Sequence, residues 1–340
     1  MVPFRFVGSA LLLAAALSCC SSEPDVGGSK LFGAGSTDGS TARPPPADVR
    51  SFVDSESSTP TGSQPGDGCT KVDFLFVIDR SGSMTDFQNR LNTAFPGFIN
   101  AILEQVPGTG HHIMVVDSDG CENTALLDCA PDDAMADCPG YPVDECTAAD
   151  YSGCGDLLGG GIVLDPRGDS CGFPEGRRYL TTDDENLSDI FQCVAAVGAD
   201  GSPFELPFTS MVKALSPELV QAGGCAEGFL RDDALLVVTV VSDDEPFALT
   251  DDDALNGDPL AWYDSVVAAK NGSVDDVVMI GFVRTGAICE ASALFVEFIE
   301  LFDEQGELEE VCGLDYADAF ASAVERVSIA CAKFDPARFE

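Results

Sequence analysis

The sequence predicts an α/β fold, a doubly wound and mostly parallel sheet with helices on both faces. Three observations predict it. Four runs dense in Val, Leu, Ile and Phe have the length of buried strands. Stretches of helical period alternate with those runs, as βαβ units require. A hydrophobic content of 45% over 340 residues is ample for one large core.

The elements follow in chain order. "VDFLFVID" (72–79) is a continuous apolar run ending in an acid and reads as a central strand. "DFQNRLNTAFPGFINAILEQV" has helical period, interrupted by Pro96. "HHIMVVDSD" (111–119) reads as the second strand, and "ALLVVTVVSDDE" (234–245) and "DDVVMIGFVR" (275–284) as two more. Helices are expected at 258–270, 291–305 and 315–334. Parallel strands joined this way bring the loops that follow them to one edge, where ligands bind. Residues 118–185 break the rhythm. They hold Cys121, Cys129, Cys138, Cys146, Cys154 and Cys171, and read as a disulfide-stapled insertion leaving that same edge. The "RGD" at Arg167–Asp169 within it is short enough to arise by chance.

The first residues have a different character. "MVPFRFVGSALLLAAALSCC" has one early base, Arg5, an apolar run too short to span a bilayer, and a small-residue end. Its "AALSC" step resembles a bacterial lipobox, which implies a signal peptide over 1–19 and lipidation of Cys19. A membrane then holds the chain through acyl groups. By the same resemblance, Cys rather than Asp at position 20 implies the outer membrane of a Gram-negative cell. Residues 20–68 are rich in Ser, Gly, Pro and Thr and read as a disordered tether. As a flexible coil it spans about 40 Å. The ordered domain is expected over 69–340.

Charge and cysteines narrow the function. With 58 acids against 17 bases the net charge is −41, a surface that repels nucleic acid and suits cations or basic partners. Of 14 cysteines, 12 follow Cys20, an even number that in an exported chain reads as disulfides. There is no C-x-x-C, and the two histidines are adjacent, so zinc is not expected. Without G-x-S-x-G, and with no thiol expected to stay reduced, an enzyme is not expected either. Cys69 before the first strand and Cys331 in the last helix lie at ends that a doubly wound fold brings together, and are expected to pair. Cys289 and Cys312 flank a helical hairpin and form a second expected pair. The remaining eight cannot be paired from sequence.

The site signal is "FLFVIDRSGSM". The strand fixes Asp79 at the sheet edge, and a turn through Gly82 brings the Ser81 and Ser83 hydroxyls to the same side. Hard oxygens of this kind suit Mg²⁺ or Mn²⁺. The bland alternative is that Asp79 and Ser81 cap the following helix. "SDDE" after the later strand offers Asp243, with Asp244 and Glu245 read as a solvated acidic loop. "DSDGCEN" (117–123) and "TDDDALNGD" (250–258) resemble calcium loops only loosely.

The motif is similar to the opening of von Willebrand factor A domains, whose metal-ion-dependent adhesion site uses D-x-S-x-S, a later Thr and a later Asp. The resemblance covers about 69–334. "RRYLTTDDENLSDIFQCVAAVG" and "GFLRDDALLVVTVVSDDE" look like a cysteine-rich bacterial lipoprotein branch of that family. It implies a doubly wound sheet and a metal held by Asp79, Ser81, Ser83, Thr209 and Asp243. Family spacing favours Thr209, but Pro207 prefers a first helical turn. That puts the loop position nearer Glu205, and Ser202 also offers an oxygen. A Glu at that position favours Ca²⁺ or Mn²⁺, or fills the open coordination position itself. The implied partner is a protein ligand that fills this position with an Asp or Glu carboxylate. The expected role is adhesion or protein contact at the cell surface. The alternative is a structural envelope scaffold whose metal motif is vestigial or self-filled.

Overall fold

The computed structural model describes residues 68–106, 110–118, 154, 158–174, 176–199, 201, 206–245 and 257–339. The lipobox and tether, Cys121, Cys129, Cys138, Cys146, Ser202, Glu205 and most of the two acidic loops lie outside them. One sheet of six strands organises the described residues, in the order β3-β2-β1-β4-β5-β6. The strands are β1 (Lys71–Ile78), β2 (Gly110–Asp117), β3 (Leu180–Thr181), β4 (Leu235–Val241), β5 (Val277–Val283) and β6 (Gly306–Glu310). All pairings are parallel except β2 with β3.

The four apolar runs expected as strands are strands, trimmed by one to four residues at their polar ends. Two strands were not expected. β3 is two residues long and antiparallel, and it draws Leu180 and Thr181 from the supposed insertion into the sheet. β6 reads "GELEE" and has no buried residue. An edge strand exposes one side, and charges there discourage pairing with another chain.

Helices cover both faces. Val72, Phe74, Phe76 and Ile78 pack with α1 (Thr85–Gln105), α2 (Leu187–Ala195) and α7 (Ala317–Lys333). Leu75 and Val77 point the other way, to α3 (Pro207–Ala214), α5 (Pro259–Ala269) and α6 (Ala293–Glu300). A short α4 (Pro217–Val220) follows α3. This alternation is the period-two signature of a strand buried on both sides. At about 25 cal/mol per Å² of apolar surface, each fully buried Phe or Leu contributes roughly 1.5–3 kcal/mol.

Pro96 does not interrupt α1, which runs through it. A proline there removes the bond its N–H would give to the carbonyl of Asn92. Gln192 Nε2 of α2 supplies the replacement, donating to Asn92 O at 3.1 Å.

Four disulfides lie among the described residues. Cys69–Cys331 and Cys289–Cys312 form as expected, with Cα separations of 4.9 and 6.1 Å. Cys154–Cys225 and Cys171–Cys193 tie the supposed insertion outward to the α/β framework rather than to itself. No helix among the described residues is long and apolar enough to cross a membrane.

Candidate metal centre

The strand order reverses between β1 and β4. From β1 the chain builds outward to β2 and β3, then returns to β4 on the other side. The carboxyl ends of strands at such a reversal leave a crevice. Asp79 and Asp243 flank it.

Asp79 is fully buried. Its N–H donates to Val241 O at 2.9 Å, which carries the β1–β4 pairing one residue past the strand. One carboxylate oxygen accepts from Ser81 N at 2.7 Å, the other from Ser242 Oγ at 2.5 Å. Gln88 Nε2 of α1 donates to its carbonyl at 3.2 Å. Among the described residues no basic side chain pairs with it. Burial therefore holds its carboxyl above the usual carboxylate range, against the two hydrogen-bond donors.

The serines do not cap a helix. Neither the 3₁₀ turn Gly82–Met84 nor α1 has a side-chain cap. Instead the Ser81 and Ser83 hydroxyls lie 2.7 Å apart. Ser83 Oγ reaches Asp243 Oδ1 at 2.9 Å and Asp244 Oδ2 at 3.2 Å. Carboxylate oxygens of Asp79, Asp243 and Asp244 all lie within 4.8 Å of one another. Asp243 is pushed up to about 6, first by burial, then by the charges of Asp244 and Asp79. The Ser83 hydrogen bond, second only to burial, and more weakly Arg284 oppose that rise.

Three crowded acids and two hydroxyls form a donor set of hard oxygens only. Such a set fits a Mg²⁺, Mn²⁺ or Ca²⁺ ion, which screens the mutual repulsion and keeps waters on its open side. Arg80, next to Asp79 in sequence, turns instead to Asp117 at 3.3 Å.

Thr209 sits in the first turn of α3 and is buried, with Pro207 opening that helix. Leu206 N donates to Ser118 O at 3.0 Å and Ser210 Oγ to Asp117 O at 2.5 Å, which docks the helix at the end of β2. Thr209 thus reaches the same sheet edge, one strand from Asp79. Among the described residues its hydroxyl bonds to none of Asp79, Ser81, Ser83 or Asp243.

Three residues were missed or misread from sequence. Ser242 anchors Asp79, and Asp244 joins the cluster. Glu245 accepts the Ala293 N–H at the start of α6, so it is a cap for a distant helix rather than a free loop acid. The available signal was the run Ser242, Asp243, Asp244 directly after a buried strand.

No protein-family model matches this chain, and no curated protein matches it.

Proposed function

We propose that the chain is a surface-displayed binding protein of the von Willebrand factor A type, anchored through a lipid on Cys19. In this reading Asp79, Ser81, Ser83 and Asp243 hold a divalent cation, with Thr209 from the neighbouring helix. The observation that carries it is Asp79, a fully buried carboxylate with no basic partner among the described residues, at the strand-order reversal. When bound, the cation supplies a positive centre that attracts an Asp or Glu carboxylate of a protein partner. The chain's residues do the rest. Ser242 and the Ser81 amide fix the Asp79 carboxylate. The 3₁₀ turn holds the two hydroxyls beside it. The cysteine-rich lipoprotein assignment belongs to the same proposal.

One observation favours the second reading, a structural envelope scaffold. Ser83 bridges Asp243 and Asp244 within the chain and so closes the site among its own groups. Calorimetric titration of Mg²⁺, Mn²⁺ and Ca²⁺ into the oxidised full chain decides between them. One saturable site, lost in Asp79→Asn, is the expected result. Absence of binding by any of the three ions in a folded sample leaves the scaffold.

A further inference from the structure

Among the described residues, six large hydrophobic side chains are exposed. The two most exposed are Leu314 at 90% and Ile288 at 67%. Isolated exposed aliphatics need no explanation. These two are not isolated, because the loops that carry them are joined by Cys289–Cys312. Both loops follow strands parallel to β1 and β4, so they leave the sheet at the edge where Asp79 lies.

The backbone under each side chain is pinned. The Glu310 carboxylate accepts the amides of Thr285, Ala287 and Ile288, each at 3.2 Å, and that of Cys312 at 3.1 Å. Arg90 of α1 donates to Gly313 O beside Leu314. The Ile288 loop is also tied to the acid cluster. Arg284 Nε donates to Ser292 Oγ at 3.1 Å, and Ser292 Oγ to Asp244 O at 3.2 Å. Two apolar groups are therefore held out to solvent on hydrogen-bonded loops, at the sheet edge that carries the candidate metal site. Exposed Glu290 and Asp315 adjoin them in a chain of net charge −41, and half-buried Arg90 and Arg284 support the same loops. Pinned exposed apolar groups on a predominantly acidic surface complement a segment of the opposite sign with an apolar residue of its own.

We propose that Ile288 and Leu314 form an apolar seat for a protein segment whose carboxylate is directed to the Asp79 cluster. The segment carries basic flanks and an aliphatic or aromatic side chain about three residues from that carboxylate. This rests on the metal-dependent reading above and adds the selectivity that reading lacks. The spacing follows from the sheet. From the β1–β4 crevice to the β5–β6 loops is two strand spacings, about 10 Å. An extended segment covers that in about three residues.

The probes are arrayed synthetic peptides with one Asp between lysines. Each carries Leu or Ser at one, three or six residues from the Asp. They are incubated with labelled full chain in Mn²⁺ or in chelator. The expected result is a preference for Leu at three residues, absent in chelator. Ile288→Ser with Leu314→Ser weakens that binding by about thirtyfold, the order expected from losing two partly buried aliphatics. Mn²⁺ affinity stays unchanged in this pair, and Ile288→Leu with Leu314→Met keeps the preference. Chelator-sensitive capture with no preference for Leu overturns the seat and leaves the metal reading standing. So does a preference that survives the double serine variant. Self-association in sedimentation that the serine pair abolishes reassigns the face to a second copy and overturns it too. No Mn²⁺ binding by the parent chain overturns both readings.

Discussion

Two aspartates, Asp73 within β1 and Asp79 one residue past its end, are both fully buried, and the chain answers them differently. Asp73 lies near the start of β1 and meets a cation from the protein. Arg231 donates to it from its backbone N at 2.7 Å and from Nε at 2.8 Å, and extends to Val72 O and Gly110 O. Lys270, also buried, closes the same loop by donating to the carbonyls of Arg231, Asp232 and Ala234. Asp79, six residues on, has an amide and a hydroxyl, and two further acids crowd it. A buried charge is tolerated when paired and is costly otherwise. The carboxylate answered from within is structural. The one answered by an amide and a hydroxyl meets no cation of the chain's own among the described residues.

The sharpest way to break this contrast is to remove one answer at a time. Arg231→Met leaves Asp73 buried and unpaired, and is expected to cost about 3–5 kcal/mol of unfolding free energy. Asp79→Asn removes a charge from three mutually repelling acids. In chelator it is expected to change stability by less than about 1 kcal/mol, in either direction. Urea denaturation under non-reducing conditions reads both. Equal, large losses in the two variants would make Asp79 as structural as Asp73.

A smaller effect sharpens the same contrast. Mn²⁺ at a hundred times its dissociation constant should stabilise the parent chain by about 2.7 kcal/mol. The gain should vanish in Asp79→Asn and persist in Asp73→Asn, if that variant is folded. Thermal midpoints with and without Mn²⁺ measure it. A full gain in Asp79→Asn would place the ion elsewhere on an acidic surface.

Much of this was legible in the sequence, for reasons the two aspartates illustrate. β1, β2, β4 and β5 are written as apolar runs because both sides of each are buried. β6 was not, because an edge strand carries a polar pattern such as Glu307, Glu309 and Glu310. Asp79 was legible because the acid ends a buried strand and is followed by two spaced serines. Its anchor, Ser242, was not, since that contact spans 163 residues. Asp73 inside "KVDFLF" announces a buried charge, but nothing local names Arg231, 158 residues away. α1 was read as broken because the rescue of Pro96 comes from Gln192, on another helix. The pairing of Cys69 followed from the ends that a doubly wound fold brings together, and that of Cys289 from its place across one helical stretch from Cys312. Those of Cys154 and Cys171 depended on a segment with no period to read.

The smallest expected effect concerns pH at the structural end of the strand. His111 is buried edge-on to Phe74, and among the described residues neither ring nitrogen has a hydrogen-bond partner. His112 contacts Phe229 O at 2.8 Å through Nδ1 and lies 3.7 Å from Asp73. Burial first, and then the Arg231 charge, lowers His111 to about 4; burial likewise lowers His112 to about 4. Burial raises Asp73 to about 6, against the opposing pull of Arg231 and, more weakly, Lys270. The signs oppose. The histidines bind fewer protons folded than unfolded, so their contribution is present above about 6.5 and lost as pH falls through about 4. Asp73 binds more protons folded, so its contribution is present below about 3.8 and lost as pH rises through about 6. Between these limits the paired groups partly cancel, and removing one exposes the other. His111→Phe deletes a proton-excluding group while keeping a ring against Phe74. Its stability should therefore fall less than the parent's between pH 6.5 and 4.5. Urea midpoints in chelator at those two values test it. A steeper fall in the variant would mean that the imidazole takes up its proton inside the fold, and that this end of the strand is also open to outside charge.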